Sequence, residues 1–143
     1  MSTTGYPAFD TTIAKTNRVL NEIEQLYGWP QERRQQSYDA LRAVLHALRD
    51  RITVEESADL AAQLPMLMRG LYYEGWRPAR VPVRMNAEQF LGRVREEFPF
   101  DVEGGIELLV SRVLYALRLY VTPGEWSDIA SNLPDDVLEM LMT

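Results

Sequence analysis

Residues 41–65, LRAVLHALRDRITVEESADLAAQLP, return as residues 110–134, VSRVLYALRLYVTPGEWSDIASNLP. The offset is 69 residues without a gap, and 11 of the 25 positions are identical, among them Leu45/Leu114, Leu48/Leu117, Arg49/Arg118 and Thr53/Thr122. At the same offset Trp29-Pro30 stands over Phe98-Pro99, and upstream of that the register drifts. A segment used twice in one chain constrains the fold strongly, because both copies must bury the same apolar positions. At 143 residues the chain fits one domain. The expected architecture is all-α: two tandem copies of a roughly four-helix unit packed as one bundle over 1–143. The first repeat covers 9–73, a Pro-rich connecting strap 74–85, and the second repeat 86–143.

The spacing and punctuation place the helices. Asp10 is suited to cap a first helix whose Ile13, Leu20, Ile23 and Tyr27 form one stripe, ended by Gly28-Trp29-Pro30. Tyr38, Leu41, Leu45, Leu48 and Ile52 recur at three and four residues, which predicts a helix over 31–51. Thr53-x-x-Glu56 reads as a capping box opening a third helix with Ala58, Ala61, Leu64 and Leu67 or Met68 inward. Pro65 fits the first position of a short helix over 65–73. In the second unit Asn86-x-x-Gln89 opens a helix with Phe90, Val94 and Phe98 inward, stopped by Pro99. A long helix over 102–119 follows, its start weakened by Gly104-Gly105. Thr122-Pro123-Gly124-Glu125 repeats the capping box, and Leu133-Pro134 begins a last helix to Met142. No stretch alternates with period two, so strands are not expected. The strap holds Pro78 and Pro82, which favour an extended path, and Trp76, Val81, Val83 and Met85 give it apolar groups to pack.

Net charge is −6 and unevenly spread. Residues 69–95 hold six arginines against Glu74 and Glu88, whereas residues 96–143 hold ten acids against Arg112 and Arg118. Nucleic-acid binding needs a broad phosphate-neutralising surface, so no nucleic-acid partner is expected. No apolar run nears the ~20 residues of a membrane span, and the start MSTTGYPAFD lacks the basic and apolar regions of a secretory signal. Without cysteine there is no disulfide framework and no thiolate metal site. A soluble cytoplasmic protein that needs no membrane, metal or cofactor is the expectation.

Chemistry-bearing residues are sparse. His46, the only histidine, has Tyr115 at its repeat position and reads as a partly buried packing residue. Glu55-Glu56, Glu96-Glu97 and Asp135-Asp136 are adjacent pairs whose members diverge by about 100° on a helix; they read as solvated faces or N-terminal charges. No glycine-rich phosphate loop exists, and the serines lack a histidine and acid to activate them. No catalytic residue is assigned. Arg49 and Arg118 are the one cationic pair kept between copies. They suit helix C-termini and could pair with the retained Asp59 and Asp128, or else share an anion-binding role. Arg69, Tyr72, Tyr73, Trp76 and Arg77 form the densest constellation, of the residue types that dominate binding hot spots. Spacing separates Arg69, Tyr73 and Arg77, facing outward as a contact surface, from Tyr72 and Trp76, packed at the junction of the units.

Residues 38–82, with the ALRAVLHALRDR helix, the AQLP step and the RGxYYEGWxP segment, resemble the bacterial domain-of-unknown-function 2267 family. The resemblance implies a small helical bacterial protein and carries no established activity. The second unit departs from it where Asp50-Arg51 becomes Leu119-Tyr120 and where RGxYYEGW has no counterpart. The leading functional expectation is a non-enzymatic protein-interaction or regulatory module, its partner an unspecified protein or a second copy of the chain. The alternative is a small-molecule binder or atypical enzyme with a pocket between the repeats, lined by Arg69, Tyr72, Tyr73 and Trp76.

Overall fold

The computed structural model describes residues 4–133 and 135–141, and within these it is helical, with no strand. The expected boundaries at Pro134 and Met142 lie outside the described residues.

Helix α1 (Pro7–Tyr27) starts at a proline, whose missing N–H is one the first turn would leave unbonded anyway. It therefore begins a turn earlier than Asp10, which sits inside the first turn and accepts from Thr4 N and Oγ1 at 3.0 and 2.7 Å. Gly28 closes the helix at φ 72°, where Trp29 N donates to Glu24 O at 2.9 Å; a left-handed close of this kind favours glycine. A 3₁₀ turn (Gln31–Arg33) leads into α2 (Arg34–Arg51), the central element, buried at Leu41 and throughout 43–49. Tyr38, placed inward by its spacing, is instead 38% exposed. Ser37 turns toward α1 in its place, its hydroxyl donating to Glu24.

Both halves of the expected capping boxes form at α3 (Val54–Gln63) and α5 (Ala87–Glu97). Thr53 N donates to Glu56 Oε1 at 2.8 Å and Asn86 N to Gln89 Oε1 at 2.9 Å. Leu60, Ala61 and Leu64 carry the inner face of α3, while Ala58 points to solvent. Pro65 precedes α4 (Met66–Tyr73) as its cap, and Met68 rather than Leu67 is buried.

Helix α6 (Gly105–Leu117) is shorter than its apolar spacing suggests. Gly104 and Gly105 take φ of 83° and 79°, so the pair forms a left-handed entry instead of a weak first turn. A Cβ on Gly104 would lie 2.2 Å from Leu108 Cδ2. At the other end Arg118 N and Leu119 N bond back to Tyr115 O and Ala116 O, tightening the chain before it reaches 119. Only half of the second Thr box forms at α7 (Pro123–Ala130). Thr122 Oγ1 accepts from Glu125 N at 3.2 Å, but Thr122 N donates to Gln63 Oε1 of α3 at 2.8 Å. The last helix is α8 (Asp135–Leu141).

The core is continuous, with Leu41, Leu45, Leu48, Ile52, Phe90 and Phe98 all fully buried. Burying one such side chain is worth roughly 1.5–3 kcal/mol. Within the strap Met85 is buried and Trp76 and Val81 half-buried, but Val83 is 41% exposed. Backbone holds Val83 there instead, its N–H donating to Asp50 O at 2.7 Å. The strap turns through a 3₁₀ segment (Pro78–Arg80) and is not extended throughout. Among the described residues no helix is long and apolar enough to cross a membrane.

Two pairs of helix starts keep the sequence offset, whereas α1 and α5 begin 80 residues apart and α2 and α6 71. α3 and α7 begin 69 residues apart, at Val54 and Pro123, as do α4 and α8, at Met66 and Asp135. α1 packs on α2 and α4; α5 packs on α6 and α8.

Candidate functional site

The aromatic and arginine segment divides by depth. Tyr72 is fully buried, and its hydroxyl lies 2.8 Å from Ser57 Oγ. Burial pushes the phenol far above its usual range, and the Ser57 bond offsets only part of that. Its polar partners are Ser57 of α3 and, through the Tyr72 carbonyl, Arg49 of α2, and its ring lies in the continuous core. Tyr73 sets its edge against Tyr72, ring centroids 5.3 Å apart, and meets Trp76 at 5.0 Å. Tyr73 is half-buried instead of facing outward. Trp76 is half-buried too, its Nε1 shielded without an acceptor. Arg69 and Arg77 are exposed. Arg69 Nε donates to Leu64 O at 3.0 Å and lines a cleft with Lys15 and Tyr120. The rings thus gather into one cluster, with Arg69 in other company.

The repeated arginines part in the same way. Arg49 is 5% exposed. Its guanidinium donates to Asp50 Oδ1 at 3.1 Å and to the carbonyls of Tyr72 and Glu74, tying down the end of α4. Arg118 lies 3.9 Å over the Tyr115 ring and bonds Glu22 Oε2 of α1 at 3.1 Å. Neither arginine meets the expected Asp59 or Asp128. The aspartates act instead on Glu125, whose carboxyl is raised above its usual range by burial first and then by the charges of Asp59, Asp128 and Glu56.

Sequence reasoning missed the densest polar cluster. Arg42, His46, Arg49 and Asp50 follow one face of α2 and meet Arg93 and Glu97, one turn apart on α5. Glu97 accepts from Arg42 Nη1 at 2.7 Å and from Arg93 Nη1 at 2.9 Å, with both oxygens 2.9 Å from His46 Nδ1. His46 Nε2 faces Leu71 O at 2.8 Å, and Arg93 Nε donates to Asp50 Oδ2 at 2.8 Å. His46 is therefore a buried polar hub (2% exposed), not a packing ring, and Glu97 is no solvated acid. Burial alone would lift the Glu97 carboxyl, but the His46 and Arg93 bonds and charges hold it below its usual value. The clue was the i, i+4, i+7, i+8 run of polar groups flanked by apolar residues between Ala40 and Leu48. Every group here is engaged by another, and neither cavity below is lined by them, so the cluster clamps α2, α4 and α5 together.

Two concave sites stand out among the described residues. The larger, about 750 Å³, opens between α6, α7 and α8. Leu114, Val121, Pro123, Trp126, Ala130 and Leu138 give it an apolar wall, and Ser111, Tyr115, Arg118 and Ser127 a polar one. It lies inside the C-terminal half, away from the Tyr72–Trp76 rings expected to line a pocket. The smaller, about 380 Å³, lies where α1 passes the α3–α4 turn, and Arg69 lines it. Among the described residues no group of three or more His, Asp or Glu could hold a metal ion.

Residues 16–140 match the model of the uncharacterized conserved protein family DUF2267. The chain belongs to that family. No curated protein matches it.

Proposed function

We propose that this chain is a non-catalytic interaction module of the bacterial cytoplasm, which seats a segment of a protein partner over the α6–α8 cavity. One observation carries the reading. At the 69-residue offset the Arg42, His46, Arg49 stripe of α2 corresponds to Ser111, Tyr115, Arg118 of α6. The chain covers the first stripe itself with α5 and the end of α4. The second borders an open cavity, with Tyr115 52% exposed beside an apolar wall. Exposed aromatic and arginine groups around an apolar recess are the composition of interaction hot spots. A segment bringing an apolar side chain to Trp126 and a carboxylate to Arg118 would suit it. The test replaces Tyr115 by Glu, at a position where the fold asks little, and compares host proteins captured by the two chains. Specific loss of one captured protein, with an unchanged melting temperature, supports the reading; an identical set of captured proteins refutes it.

A second reading, a small-molecule binder, draws on the cavity volume, which falls in the usual range for such sites. Native mass spectrometry of chain purified from its host, showing a bound mass lost on Trp126→Ala, would favour it.

We further propose that the two halves are tandem copies, over 9–73 and 86–143, related by an approximate twofold. The packing supports this: α2 meets α6 and α3 meets α7, each its own counterpart, while α2 packs on α5 as α6 packs on α1. A twofold produces this pattern of self-paired and exchanged contacts.

A further inference from the structure

The smaller cleft stands apart from the α6–α8 cavity, and its lining has a different chemistry. Lys15 of α1, the only lysine of the chain, and Arg69 of α4 both border it. Among the described residues no Asp or Glu lines it. Neither Lys15 nor Arg69 enters an ion pair among the described residues, a state they share with several other surface arginines; what sets these two apart is that they border one concavity. Two like charges gathered in one concavity repel each other, and a shared anion turns that repulsion into attraction.

The frame around them is fixed by hydrogen bonds. Arg69 Nε is held by Leu64 O at 3.0 Å, which orients the guanidinium. Tyr120 OH donates to Lys15 O at 3.1 Å, and Thr12 Oγ1 accepts from Leu67 N at 2.8 Å, leaving the threonine hydroxyl hydrogen free to donate. Thr11 and Gln63 add further polar groups, while Ala8, Ala62, Pro65 and Met66 form an apolar side, with Met66 55% exposed. The volume, about 380 Å³, suits a small ligand.

We propose that this cleft binds a small organic anion, a phosphate monoester or a carboxylate bearing a short apolar group. Its oxyanion sits between Lys15 and Arg69, and its apolar part lies along Pro65 and Met66. Arginine and lysine supply the donors such oxyanions require.

Amide NMR titrations of the full chain with phenyl phosphate and with phenylacetate test this, with inorganic phosphate and benzyl alcohol as controls. At least one aromatic anion should shift the amides of Thr12, Leu67 and Arg69 saturably, and the one that does names the oxyanion. Lys15→Gln and Arg69→Gln should each weaken it about fivefold, the worth of one screened charge at contact distance, and together about 25-fold. Both side chains are on the surface, and an unchanged melting temperature confirms that the variants fold. Met66→Gln should weaken the aromatic anion while leaving inorganic phosphate unaffected. The proposal is overturned by no saturable shift with either anion, by equal affinity in the double variant, or by inorganic phosphate binding as tightly as phenyl phosphate. Shifts confined to residues around Trp126 would overturn it as well.

Discussion

Around α2 the Arg42, His46, Arg49 stripe is roofed by α5 and the turn after α4; around α6 the Ser111, Tyr115, Arg118 stripe meets solvent and a cavity. Leu45 and Leu114, or Leu48 and Leu117, are buried in both places. Shared sequence has therefore kept the inner face and let the outer face diverge. A residue retained at both positions need not do the same work: Arg49 stitches buried carbonyls, while Arg118 lies on a ring at the surface.

Truncation should expose this difference most sharply. Leu45→Ala opens a hole in a fully enclosed site and should cost about 4 kcal/mol; Leu114→Ala, beside an existing cavity, should cost about 2–3 kcal/mol. Urea denaturation giving equal losses would mean that the cavity wall is as tightly packed as the α2 core. Arg49→Ala strands the Tyr72 and Glu74 carbonyls and leaves Asp50 to Arg93 alone, and should cost about 3 kcal/mol. Arg118→Ala, with its side chain 44% exposed, should cost under about 1 kcal/mol. A reversed order would remove the ground for treating the two stripes differently. Next come the caps. Thr53→Ala and Thr122→Ala should each lose about 0.5–2 kcal/mol. Gln63→Ala should lose about 1 kcal/mol through the Thr122 N–H it leaves unbonded. No loss at Gln63 would show that water serves that group equally well.

The smallest effects are those of pH. The lowered carboxyl of Glu97 contributes stability that is complete above the unfolded value of about 4.3 and is lost as pH falls through its folded value. Glu125, raised, has the opposite sign: its ionisation costs stability above its folded value, and that cost fades as pH drops. Melts across the acid range should show Glu97→Gln flattening the decline. Glu125→Gln should give a small gain near neutral pH.

Helices and inner faces could be read from the sequence because caps and 3.6-residue spacing are local. Thr53-x-x-Glu56, Asn86-x-x-Gln89 and the Phe90, Val94, Phe98 stripe all stand where spacing put them. What could not be read depends on which helix covers which face. Glu96 and Glu97 look alike in the chain, yet their side chains are 71% and 17% exposed because only Glu97 points at α2. His46 and Tyr115 are equivalent by alignment and opposite in burial for the same reason. The Gly104-Gly105 pair was misjudged because composition shows flexibility but not the left-handed path that uses it.

Thr122 N finds its acceptor on Gln63, Asn132 Nδ2 bonds Glu56, Arg112 Nη1 donates to Leu26 O, and Tyr120 OH to Lys15 O. Each half is thus the solvent for some of the other's polar groups. Separated halves would hold those groups only by recruiting water, and the helix ends that carry them would fray. The chain should therefore melt as one cooperative unit, with a single calorimetric transition for both halves. Two fragments divided in the strap should each be poorly ordered alone and recover helical content when mixed, behaving as complementary parts of one folding unit rather than as two small proteins joined end to end.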